Sequence, residues 1–306
     1  MARDFLSIDD LSPADLHDVL DAAAKVKAGP SDFADRLAGR TVAVIFEKPS
    51  TRMWVSFEVA VMSMGGHPVT VSAQELRPEH GEPIEDVGRA LSRYVDAIVF
   101  RTFGQERMEG LARGALVPVI NALSDFEHPS QAVADLLTIR DRRGDLAGTT
   151  LVYLGDGNNV AHSLLLGGAL AGMRVRVATP LGFEPIRQVV RRAEELAART
   201  GGSVTITNDP AEAARGADVL YTDVWASMGQ EAEAMERRLL FQPYQLNEGA
   251  VAAASPDVLV MHCLPARRGE EISDEAMDGP HSVVWEQSEN CLHTEKALLL
   301  WVFGLT

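Results

Sequence analysis

The 306-residue chain is long enough for one large or two medium domains with a sizeable buried core. Its 46% hydrophobic and 24% charged content is that of a globular protein. The net charge of -16 argues against nucleic acid or an anionic membrane as partner, yet leaves room for a local arginine cluster that holds a small anion. Two cysteines, Cys263 and Cys291, make neither a disulfide framework nor a metal-ligand pattern, so no metal is expected and a reducing compartment is. The N-terminal MARDFLSIDDLSPADL is acidic early and has no apolar core of signal length, and no apolar run reaches the roughly 18 residues of a membrane span. The expectation is a soluble cytoplasmic protein.

Strand-like and helix-like stretches alternate from Thr41 onward. Thr41–Phe46 (TVAVIF) predicts a strand, followed by a helix from about Thr51 to Gly65, a short strand His67–Val71 and a helix Glu85–Tyr94. Ala97–Phe100 and Val117–Ile120 read as strands, and Gln131–Arg143 as a strong helix. The pattern then restarts. Thr150–Leu154, Arg174–Ala178, Ser203–Thr207, Val219–Thr222 and Val258–His262 are strand-like, with helices His162–Ala171 and Pro185–Thr200 between them. Thr294–Phe303 predicts an apolar terminal helix that must dock on something. The alternation implies βαβ units and parallel sheets in two α/β halves.

Ligands of open parallel sheets bind beyond the carboxyl ends of strands, and the polar clusters fall there. After TVAVIF comes PSTR, where Ser50, Thr51 and Arg52 at a helix start can grip an anion; an ordinary N-cap is the plainer alternative. Arg101 follows a buried strand and is either aimed into a crevice or a surface arginine. His128 and Gln131 of HPSQ can donate to carbonyl or phosphate oxygens, or belong to a capping turn. GDGNN lacks the GxGxxG spacing, so a nucleotide is poorly supported; Asn158 and Asn159 can read an amino acid, or sit in a polar turn. In TDVWASMG, Asp223 suits an ammonium and Ser227 with the backbone near Met228 a carboxylate, against a plain flexible loop. Cys263 of HCLP ends a buried strand, the usual place of an inert cysteine.

In their joint order these segments resemble the aspartate/ornithine carbamoyltransferase family, its ornithine branch most. The likeness runs through EKPSTR, VSFEV, LSRYVDAIVFRTFGQ, NALSDFEHPSQAVADLLTI, GDGNNVAHSLLLGGALAG, TDVWASMGQE, HCLPARRGEEI and the final EN-LH-KALL stretch. It implies two doubly wound parallel-sheet domains with a cleft between them, bridged by a central and a C-terminal helix. Residues 1–137 with 288–306 would form the carbamoyl phosphate part and 138–287 the amino acid part. It further implies a homotrimer or a multiple of it, small-molecule substrates, no cofactor, and a setting in amino acid metabolism, arginine biosynthesis being the expected one.

Carried over by position, Ser50, Thr51, Arg52 and Arg101 match phosphate ligands, and His128 and Gln131 match groups on the carbamoyl side. Asn159, Asp223, Ser227 and Met228 match the grip on the amino acid, while Cys263 and Leu264 match the pair beside the reacting amine and carbamoyl carbon. Arg101, His128 and Cys263 are the catalytic candidates, with Cys263 orienting rather than attacking. The departures cluster on the donor side. Met53 and Trp54 stand where Thr-Arg usually follows Ser-Thr-Arg, and Cys291 where Asn-Arg-Leu-His is usual. The loop Pro78–Asp86 (PEHGEPIED) also differs, with an apparent insertion and Pro83; Ser130 and Arg267 are milder changes. A charge-assisted hydrogen bond is worth about 1.5–3 kcal/mol, so the uncompensated losses would weaken donor binding by roughly two to three orders of magnitude. The amino acid half shows no such loss. Carbamoyl transfer to ornithine or a close analogue is the leading expectation, ahead of a different donor and of a non-catalytic amino acid-binding paralogue.

Overall fold

The computed structural model describes residues 3–72, 81–227, 229 and 231–306. The chain divides into two compact units, Met1–Leu137 with Asn290–Thr306, and Thr138–Glu289.

The first unit is built on a four-stranded parallel sheet in the order β2-β1-β3-β4. Its strands are β1 (Thr41–Phe46), β2 (His67–Ser72), β3 (Ala97–Arg101) and β4 (Val119–Leu123). β1, β3 and β4 are apolar nearly throughout and almost wholly buried, as strands covered on both faces must be. The edge strand β2 alternates exposed and half-buried residues. Helices α1 (Pro13–Ala28), α2 (Thr51–Ser63), α3 (Ile84–Leu91) and α4 (Gln105–Gly114) belong to this unit. At the N-terminus, Phe5 pairs with Ile120 and extends the sheet by one bridge. Helix α1 was not singled out in the sequence; Ser12 caps it in a capping box with Asp15.

The second unit holds a five-stranded parallel sheet in the order β7-β6-β5-β8-β9. These are β5 (Thr150–Leu154), β6 (Arg174–Ala178), β7 (Ser203–Thr207), β8 (Val219–Thr222) and β9 (Leu259–His262). Helix α5 (Pro129–Arg143) precedes this sheet. Within it run α6 (Asn159–Leu170), α7 (Arg187–Thr200), α8 (Pro210–Ala214), α9 (Ala234–Phe241), α10 (Glu248–Ala253) and α11 (Asp274–Asp278), and α12 (Val284–Val302) closes the chain. The boundaries between the two units fall inside α5 and inside α12.

The expected doubly wound α/β class is what the chain adopts, with shifts at element ends. β4 starts two residues later than VPVI suggests, because Pro118 offers only its carbonyl, to Ile98. The terminal helix begins at Val284, ten residues before the expected Thr294. Its first half carries Glu286, Gln287, Glu289 and Asn290, whose polarity hid it in a reading keyed to apolar runs.

Both sheets reverse strand order once, between β1 and β3 and between β5 and β8. There the outgoing loops diverge and leave a crevice beyond the strand ends. The registers level those ends: Phe46 pairs with Arg101, and Leu154 with Thr222. A close approach fixes the loop after β5. Gly157 donates its N–H to Phe183 O at 2.9 Å, and a Cβ there would lie 2.3 Å from Pro185 N. Gly157→Ala is therefore expected to cost about 1–3 kcal/mol of stability, the usual price of overpacking, read as a lowered urea midpoint at unchanged slope.

Candidate functional site

In the first unit, the reversal point brings together the start of α2 and the end of β3. Ser50 occupies the N-cap position of α2, but its side chain makes no capping hydrogen bond. The ordinary-cap reading of PSTR thus does not describe this turn. Ser50 is half-buried, and Thr51 and Arg52 are exposed. The first N–H groups of a 13-residue helix, two hydroxyls and a guanidinium lie in one short segment, the arrangement that suits an anion.

Arg101 is buried rather than superficial. It sits where the β3–β4 register slips, a local irregularity that re-aims a side chain. Its Nε donates to Lys48 O at 3.2 Å, and its Nη1 meets Met53 Sδ at 3.4 Å. Lys48, absent from the sequence reading, is buried, pairs with Asp125 and lies 5.0 Å from the Phe103 ring centre. Glu47 accepts from Thr102 and from Arg107, which ties the segment before the turn to the β3 end. The two substituted positions behave differently. Met53 is buried against Arg101, whereas Trp54 is 38% exposed and fills no core space.

His128 and Gln131 lie at the start of α5, both buried. Burial, with Arg101 and Lys48 nearby, holds the His128 imidazole well below its usual range, so it is neutral near pH 7. Gln131 donates to Asp135 Oδ1 at 2.8 Å and accepts from Cys291 Sγ at 3.6 Å. Burial, then Glu295 and Asp135, pushes the Cys291 thiol well up, so it stays protonated.

The second unit gathers the other candidates at its own reversal point. Asn158 caps α6, accepting from Val160 N and Ala161 N, and its Nδ2 donates to Asp223 Oδ2 at 2.8 Å. The other Asp223 oxygen accepts from Cys263 Sγ at 3.1 Å. Asn158 is thereby committed to holding the loop and Asp223, and Asn159 is the first residue of α6. Ser227 is half-buried, and Met228 lies outside the described residues, as do Pro78–His80 of the divergent loop.

Leu264 has φ 58, a left-handed conformation costly for a leucine. Its N–H donates to His262 Nδ1 at 2.8 Å, and His262 Nε2 faces Glu271 Oε1 at 3.0 Å. His262 is buried, and its backbone N–H donates to Gln287. Asp223, His262 and Cys263 place three ligand atoms within 4.8 Å of one another. Both imidazole nitrogens and the thiol are already engaged, so the set works as a hydrogen-bonded support for the Leu264 turn and for Asp223. Cys263 and Leu264, expected beside the reacting amine and carbamoyl carbon, belong to the unit of Asn159, Asp223 and Ser227, while Ser50–Trp54, Arg101, His128, Gln131 and Cys291 belong to the first.

Matches to known families also divide the chain near the end of α5, though the second match runs on through most of α12. Residues 3–141 match the model for the carbamoyl-P binding domain of aspartate/ornithine carbamoyltransferases, and 147–302 match their Asp/Orn binding domain. The chain belongs to the aspartate/ornithine carbamoyltransferase family. It is 59% identical to an ornithine carbamoyltransferase of Parafrankia sp., over 100% of this chain and 97% of that one. It is 55% identical to the ornithine carbamoyltransferase of Acidothermus cellulolyticus, over 98% of this chain and 96% of the relative. The solved ornithine carbamoyltransferase of Pyrococcus furiosus superposes with a TM-score of 0.96 at 51% identity, covering 99% of this chain and 97% of that one.

Glu127, next to His128, ties the N-terminal segment to this site. It accepts from Ser7 Oγ at 2.6 Å and Ile8 N at 3.1 Å, and burial raises its pKa from 4.5 to about 7. The folded state holds this proton more tightly than the unfolded chain. Its contribution is therefore complete below pH 4.5 and declines as pH rises to 7, by on the order of 3 kcal/mol. Glu127→Gln should remove about one proton from the slope of unfolding free energy between these pH values, measured by denaturant titration.

Proposed function

We propose that the protein transfers the carbamoyl group of carbamoyl phosphate to the δ-amine of ornithine, giving citrulline and phosphate. The observation that carries this is the full-length match to ornithine carbamoyltransferases at 59% and 55% identity. That likeness favours carbamoyl transfer over a different donor or a non-catalytic paralogue. Ser50, Thr51, Arg52 and Arg101 hold the phosphate, with Met53, Trp54 and Cys291 shaping the donor's surroundings. His128, neutral and buried, donates to the carbamoyl oxygen, and Gln131 holds the carbamoyl end. Asn159, Asp223, Ser227 and Met228 grip the amino acid, while Cys263 and Leu264 orient the reacting amine.

The uncharged amine attacks the carbamoyl carbon. A C–N bond forms, the oxyanion is stabilised by preset donors, the C–O bond to phosphate breaks, and the amine proton leaves with the phosphate. This needs positioning and charge stabilisation from side chains, and no cofactor enters the scheme. Residues 1–137 with 288–306 are the donor part and 138–287 the amino acid part.

A homotrimer, or a multiple of one, is part of the same reading. Val55, Val59 and Met62 follow one face of α2 at spacings of four and three, 52, 41 and 64% exposed, an apolar stripe suited to a second copy of the chain. A cytoplasmic location and a place in arginine biosynthesis accord with the relative named anabolic in Pyrococcus furiosus. Among the described residues no helix is long and apolar enough to cross a membrane.

The test is incubation with carbamoyl phosphate and ornithine, with citrulline and phosphate expected in equal amounts; no turnover at saturating donor overturns the reading. Cys291→Arg should lower the KM for carbamoyl phosphate by roughly tenfold, the value of one charge-assisted contact. Light scattering should give a multiple of three 33.1 kDa chains.

A further inference from the structure

Helix α12 carries a carboxyl that the site described above does not use. Glu295 lies one turn after Cys291, is 1% exposed, and among the described residues has one polar partner, Ser56 Oγ, at 2.8 Å from Oε1. Its other oxygen, Oε2, has no hydrogen-bond partner among them, and no cation pairs with it there. An ionised carboxylate so placed would leave a buried charge uncompensated, so the group is held as the neutral acid. Burial pushes its pKa well above the carboxylate range, in agreement with that argument.

A neutral acid can donate. Ser56 Oγ also lies 3.1 Å from Met53 O. With Glu295 as O–H donor, the Ser56 hydroxyl accepts from the acid and gives its own proton to the Met53 carbonyl. With Glu295 ionised, the single Ser56 proton would have to choose between the two. Met53 continues the chain, because its Sδ receives Arg101 Nη1. One connected path therefore joins Glu295, Ser56, Met53 and Arg101, and it passes through the first turn of α2.

We propose that Glu295 is a positioning residue for the donor: acting through Ser56, it fixes the first turn of α2 and seats Met53 against Arg101. The role rests on the donor-site reading above. Glu295 touches no substrate in it; the groups it sets are Arg101 and the turn that carries Ser50, Thr51 and Arg52. The path also gives the buried Met53 a use. The thioether takes one guanidinium N–H and limits where Arg101 points, and the relay holds the thioether in place.

The test measures KM for carbamoyl phosphate, kcat, and the affinity for inorganic phosphate by calorimetry, in the full-length protein. Ser56→Ala and Glu295→Ala are each expected to raise the KM and the phosphate dissociation constant about tenfold, with kcat changed by less than about twofold. Glu295→Gln keeps a neutral donor at the same place and should stay within about twofold of the parent on all three. Where Glu295→Ala fails to fold, Ser56→Ala carries the test, since it deletes only a hydroxyl at a half-buried position. Unchanged KM and phosphate affinity in Ser56→Ala overturn the proposal, as does a Glu295→Gln protein as impaired as Glu295→Ala. A parent that binds neither phosphate nor carbamoyl phosphate overturns the donor-site reading and this inference together. An active parent with indifferent variants overturns this inference alone.

Discussion

Reversal of strand order at β1/β3 and at β5/β8 is the constraint on which the rest of the structure depends. In a parallel sheet every strand needs a crossover, and right-handed crossovers that progress across the sheet in opposite directions cover opposite faces. Where the direction changes, two neighbouring strands send their chains apart, and no helix closes the space above them. Level registers at Phe46–Arg101 and Leu154–Thr222 bring the divergent loops out side by side. Buried, largely apolar strands then act as a rigid base, with polar side chains at their carboxyl ends. This is why Arg101 and Thr222 close strands that are otherwise apolar for most of their length.

Each reversal point is tied by hydrogen bonds between the loops it separates. In the first unit Glu47 N donates to Arg101 O at 2.8 Å, and Arg101 Nε returns to Lys48 O. In the second, Asn158 reaches Asp223. The ties differ in charge. Around Arg101 lie a neutral imidazole and the Met53 thioether. Around Asp223 an amide and a thiol each donate one hydrogen bond, and the carboxylate keeps its capacity for a cation. On the proposed function, a chain of net charge -16 presents an anion grip in one unit and a cation grip in the other.

Element type was legible in the sequence because buried parallel strands read as unbroken apolar runs, and the two halves show them in order. What was not legible lies in tertiary partnerships. PSTR looked like a cap, and nothing local says that Ser50 would leave the cap bond unmade. Asn158 and Asn159 are adjacent and identical, so only the fold could assign the first to capping and to Asp223. Glu295 sits in an apolar helix, four residues after Cys291; that spacing was the available signal, but its partner Ser56 is 239 residues away. Lys48 was hidden for a different reason: a lysine beside a turn is normally solvated, and its burial follows from Asp125 and Phe103.

The buried Met53 also bears on how a changed donor grip is compatible with full-length likeness to carbamoyltransferases. A contact made equally to bound donor and to transition state sets affinity, and its loss raises KM without touching the chemical step. Contacts that strengthen as the oxyanion develops are the ones that set kcat. On the proposed function, Met53 replaces a group of the first kind, at the phosphate end, while its sulfur accepts from Arg101 Nη1. His128, the candidate donor to the oxyanion, is retained, and burial keeps it neutral. On that reading the substitution falls on the affinity side of the reaction, and the group proposed to face developing charge is left in place.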